Sequence, residues 1–137
     1  MANTPLPLVL FGVAVGAYCL ALVAFVLYLA IRRRWLDDVG LAFVLLGWPV
    51  HAASILTRAL EAGHWPLGNM YVYSTGIGFI VMTVCAVLMI RTRMRLVGVP
   101  ATIVTVALMG VACMLYEPPG QLGERFRRRL SLDPVQQ

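Results

Sequence analysis

Apolar positions run along this chain in four long blocks, broken by short polar clusters. The blocks predict helices over roughly Leu8–Ile31, Val39–Leu60, Val72–Ile90 and Val97–Leu115. Each is about as long as the 18 to 20 apolar residues that carry a helix across a bilayer core. None alternates with the period of two expected of a half-buried strand. The predicted fold class is therefore all-α: a polytopic membrane protein with four transmembrane helices over residues 1–122, followed by a basic tail over 123–137.

Composition sharpens the membrane reading. Of 137 residues, 61% are hydrophobic and 12% are charged, against about 25% charged in soluble domains. No basic segment precedes the first apolar block and no A-x-A-like site closes it, so it reads as a retained helix and not a cleaved signal. The three cysteines lie far apart inside apolar blocks, with no CxxC or CxxCH. Thiol exchange and covalent haem attachment to this chain are therefore unsupported, and the cysteines read as small hydrophobes. Met82, Cys85 and Met89 share a helix face and read as a packing stripe. Gly12 and Gly16 form a small-xxx-small pair suited to close helix contact.

Charge predicts orientation. All eleven basic residues are arginine, and the net charge is +5. In so apolar a chain this points to lipid headgroups and topology, not to nucleic acid. The first and third connections, Arg32–Asp38 and Arg91–Arg95, hold six arginines, and the second, Glu61–Tyr71, holds none. The positive-inside rule puts the first and third connections in the cytoplasm and both termini outside. The tail, with Arg125, Arg127, Arg128 and Arg129, lies outside against that rule. It reads as a headgroup-bound segment or as a docking arm for an acidic partner.

Candidate chemistry concentrates in "HAASILTRALEAGHWPLGNMY", residues 51–71. His51 falls near the bilayer midplane, about 13 Å from the outer end of its helix. An ionisable residue at that depth needs a partner and marks a functional-site hypothesis. Arg58 lies two turns further on the same face, about 10 Å nearer the outside. Imidazole ligates iron, and arginine pairs with carboxylates. The two together suit a molecule with a metal centre and an acidic edge, such as haem with its propionates. The alternative is an interhelix contact for His51 and a pair with Glu61 for Arg58. Pro49 removes a backbone donor beside His51. Gly63 suits a helix C-cap with Pro66 following. Trp65 and Tyr71 suit an interfacial aromatic belt, and His64 falls at the outer surface. No paired carboxylates, Ser–His–Asp set or phosphate loop points to an enzyme.

The segment His51-x6-Arg58-x4-"GHWPLGNMY" resembles the N-terminal part of the CcsA/ResC cytochrome c biogenesis proteins, members of the haem-handling superfamily. "LYEPPGQL", residues 115–122, is similar to that family's segment after its fourth helix. The resemblance covers roughly residues 8–122. It implies a multi-pass protein of the bacterial plasma (inner) membrane that handles haem or assembles cytochrome c. His51, Arg58 and His64 are the implied haem contacts, with His51 a candidate iron ligand. Trp65, Pro66, Asn69, Tyr71, Arg127 and Arg128 are candidate partner contacts. Implied partners are other integral membrane subunits, lipid and a c-type cytochrome. Two departures stand out. Val72 follows the motif tyrosine where the family has an acidic residue. Family members also continue into further helices, with a tryptophan-rich external segment and flanking haem-binding histidines. The second reading is accordingly a structural or accessory subunit of a larger respiratory or photosynthetic membrane complex.

Overall fold

The computed structural model describes residues 6–62, 70–93, 95–116 and 128. These residues form α1 (Leu6–Ile31), α2 (Arg34–Ala62), α3 (Met70–Thr92), a 3₁₀ turn (Arg95–Val97) and α4 (Gly98–Met114), with no strand among them. His64, Trp65, Pro66, Asn69, Arg127 and most of the tail lie outside the described residues, and Arg128 is exposed.

Helices α1, α2 and α3 are long and apolar enough to cross a membrane, whereas α4 is a shorter apolar helix of 17 residues. At 1.5 Å per residue α4 is about 25 Å long, at the low end of what a span requires. Its predicted first residue, Val97, belongs instead to the 3₁₀ turn.

The first connection is tighter than its polar composition suggests. It is a break at Arg32 and Arg33, not a loop reaching Asp38. Arg32 ends α1 in the left-handed region, at φ 55, with its N–H donating to the Tyr28 carbonyl at 2.8 Å. The Arg33 carbonyl accepts from the Leu36 N–H at 3.1 Å, which starts α2. Asp37 in the first turn of α2 faces the positive end of that helix's dipole, so charged residues that read as a loop are helix-compatible. Arg93, at φ 52, ends α3 in the same way.

Inward positions repeat every seven residues. On α1 they are Phe11, Ala14, Tyr18, Ala21 and Phe25; on α2, Asp37, Gly40, Val44, Gly47, His51 and Ser54. Tyr71, Gly78 and Cys85 continue the pattern on α3, as do Gly98, Thr105 and Ala112 on α4. A heptad repeat keeps one seam facing its neighbour along the length of a left-handed bundle. Large residues of α1 meet small ones opposite. A Cβ added at Gly40 would sit 2.5 Å from the Phe25 ring, one at Gly98 2.9 Å from the same ring, and one at Gly47 2.9 Å from Tyr18.

The helices pair as two hairpins. Packing is densest between α1 and α2 and between α3 and α4; the α1–α4 and α2–α3 seams are sparser. The outer surface is apolar, with Val13, Leu20, Val23, Leu46, Ile80 and Val84 among its exposed side chains. Apolar cover of this extent marks a surface that meets lipid or protein.

Candidate functional site

His51 lies where the four helices meet. Its heptad position on α2 turns it inward, and it has no exposed surface. The Tyr18 hydroxyl of α1 hydrogen-bonds its Nδ1 at 3.3 Å. The Phe79 ring of α3 stands edge-on to the imidazole, with centroids 5.6 Å apart and planes at 88°. Gly78 leaves room on the third side: a Cβ there would lie 4.0 Å from His51 Cε1 and 3.6 Å from Thr105 Cγ2 of α4.

Nε2 of His51 and Oγ1 of Thr105 are buried with no hydrogen-bond partner among the described residues. Leaving a buried polar atom unsatisfied costs about 1–3 kcal/mol, so two such atoms at the bundle centre form a reserve of unused polar capacity. Two tautomers divide the chemistry. With the proton on Nδ1, the imidazole donates to the tyrosine oxygen and Nε2 offers a lone pair to a metal. With the proton on Nε2, the tyrosine hydroxyl donates to Nδ1 and Nε2 is a donor.

Arg58, half-buried on α2, is held by aromatic faces. Its guanidinium carbon lies 4.0 Å from the centroid of the Tyr71 ring and 5.0 Å from that of Tyr116. The two rings meet at 69° with centroids 5.6 Å apart. Cation–π contact uses the flat face of a guanidinium; Arg58 also hydrogen-bonds the Tyr71 side chain, and its five N–H groups give it further capacity for a carboxylate or phosphate. Glu61, its alternative partner by spacing, is exposed.

Between His51 and Arg58 runs a narrow cleft lined by Ser54, Ile55, Arg58, Ala59, Tyr71, Val72 and Thr75, with about 10 Å³ open to the centre of a water molecule. That is room for about one water. The Ser54 hydroxyl, on its lining, donates to the Pro7 carbonyl of α1 at 3.2 Å. The α2–α3 seam beside it is fastened by Trp48. Its indole stacks on Phe79 at 5.4 Å and donates from Nε1 to Thr83 Oγ1 at 2.8 Å.

The fold therefore brings His51, Arg58 and Tyr71 along one seam. Tyr71, predicted as an interfacial belt residue, is buried under Arg58. Sequence reasoning missed Tyr18, Phe79, Thr105 and Tyr116. The seven-residue spacing from Phe11 through Tyr18 to Phe25 was the available signal for the first.

Haem, implied by the family resemblance, fits these residues in donor chemistry, since Nε2 is unused. The enclosed imidazole can be reached only if the seam parts. Among the described residues there is no cluster of three or more His, Cys, Asp or Glu side chains able to hold a metal ion. Met82, Cys85 and Met89 are buried packing residues, with Cys85 Sγ 3.7 Å from Met89 Sδ. No family model, curated protein or solved structure matches the chain.

Proposed function

We propose that this chain is a non-enzymatic haem-handling module of cytochrome c maturation, embedded in the bacterial plasma membrane by four helices. Its partners are other integral membrane subunits, and a c-type cytochrome is its client. The observation that carries the reading is the unused Nε2 of a fully buried histidine, two helical turns from a tyrosine-held arginine on the same helix face. In this role His51 would hold the haem iron through Nε2, with its Nδ1–H donating to Tyr18 as the outer hydrogen bonds of metal-bound histidines do. Arg58, about 10 Å along the helix from His51, would pair with a propionate. Bound haem would supply the iron. The protein's own contribution is to orient the imidazole, hold the carboxylate and keep water out. In this reading the six arginines in and beside the first and third connections orient both termini outward.

Complete enclosure of His51 favours a second reading, a structural subunit in which the imidazole only ties α2 to α1. One experiment separates the two. With His51→Ala and the polar variant His51→Asn, holo-cytochrome c should fall at least tenfold while membrane abundance of the chain and its co-purifying subunits is unchanged. Normal holo-cytochrome c with lost subunit assembly would establish the structural role instead.

A further inference from the structure

At the arginine-bearing end, the break between α1 and α2 and the turn between α3 and α4 enclose a second cleft. It holds about 190 Å³ and is lined by Tyr28, Leu29, Arg32 and Leu96. We infer that this cleft binds the phosphate of one anionic phospholipid.

Three features point there together. The first is the pairing of donors. Tyr28 and Arg32 are one turn apart at the end of α1, so the phenol and the guanidinium serve the same space. Arg32 is exposed and sits in the left-handed region at φ 55, a conformation an L-residue adopts only at a cost. The second is the field. Arg33, Arg34, Arg91 and Arg93, at the same helix ends, add exposed positive charge. Of the two carboxylates of the connection, Asp37 is turned inward and neither lines the cleft. The C-terminal end of α1 repels an anion, but α2 starts after only two intervening residues and its N-terminal end opposes that effect. The third is the wall. Leu29 is 45% exposed and Leu96 is 68% exposed. A free phosphate has no use for two exposed leucines. A lipid does, because its acyl chains start where its phosphate ends. The site thus suits a molecule that is anionic at one end and apolar at the other, at the depth where the apolar helices give way to arginine.

The inference rests on the membrane placement proposed above, which flotation of the reconstituted chain with vesicles scores separately. The full chain is reconstituted into phosphatidylcholine vesicles doped with phosphatidylglycerol, extracted in mild detergent and examined by native mass spectrometry. It should retain one phosphatidylglycerol in preference to phosphatidylcholine. Arg32→Asn removes the charge while keeping a residue that tolerates positive φ, and should reduce retention about fivefold. Tyr28→Phe, which removes only the hydroxyl, should reduce it about twofold. Arg91→Asn, at the same end but not lining the cleft, should reduce it much less than Arg32→Asn does, and circular dichroism melts verify folding of each variant. Equal losses for Arg32→Asn and Arg91→Asn would overturn the site in favour of diffuse surface charge. Displacement of the lipid by inorganic phosphate, with Leu96→Ser having no effect, would overturn the lipid as its occupant.

Discussion

At the residue scale, the two unsatisfied polar atoms at the bundle centre behave differently when changed. Tyr18 is the only hydrogen-bond partner of the His51 ring among the described residues. Tyr18→Phe would leave both ring nitrogens buried and unpartnered. Interhelical hydrogen bonds in membranes contribute about 0.6 kcal/mol on average and up to about 1.7, so the variant should unfold at lower temperature in detergent by a loss of that order. Thr105→Val keeps the shape and removes an oxygen that already has no partner. It should be neutral or slightly stabilising in the same melt, unless that hydroxyl serves a ligand. His51 and Arg58 were legible in the sequence because a charged or titratable side chain stands out in an apolar block. Tyr18 was not, because tyrosine is unremarkable in such a block until its neighbours across the bundle are known, and Tyr116, just past the fourth block, carried no sequence signal tying it to Arg58.

At the scale of elements, the four helices were legible because apolar length is a strong signal, whereas the polar ends misled. Arg34, Trp35 and the two aspartates looked like connection, yet they belong to α2, with Asp37 in its first turn, where an acidic side chain complements the helix dipole. The seven-residue repeat was also present in the sequence, masked by outward faces as apolar as the inward ones. With no polar side to contrast, a moment-type argument has nothing to detect. Glycine placement is what reveals the seam. Gly40→Ala should overpack α2 against Phe25, which has no exposed surface and meets Gly98 on another side. Overpacking of this kind costs about 1–3 kcal/mol. Gly12→Ala, where an added Cβ meets nothing within 4 Å, should melt like the parent protein and serves as its control.

At the scale of the molecule, two well-packed hairpins meet along sparser seams, and the candidate site lies on their junction. That arrangement could not be read from the sequence, because helix order does not say which pairs pack closely. The proposed orientation is a whole-molecule property as well, since it weighs six arginines at one end against four in the tail. Protease applied to sealed, right-side-out membrane vesicles should remove the tail beyond residue 122 and leave the Arg32–Arg33 and Arg91–Arg95 connections intact. A tail protected until the vesicles are opened would reverse the topology.

The shared crowding of Phe25 by Gly40 and Gly98 also bears on how such a sequence can drift. While the ring is in place, neither glycine can gain a methyl group without strain, although the two belong to different helices and lie far apart in the chain. A smaller side chain at position 25 would release both at once. Once either glycine had been replaced, the aromatic ring could not easily return. The order of substitutions at these three positions therefore matters: trimming the ring first opens both glycines to change, and filling either one first is opposed by the ring.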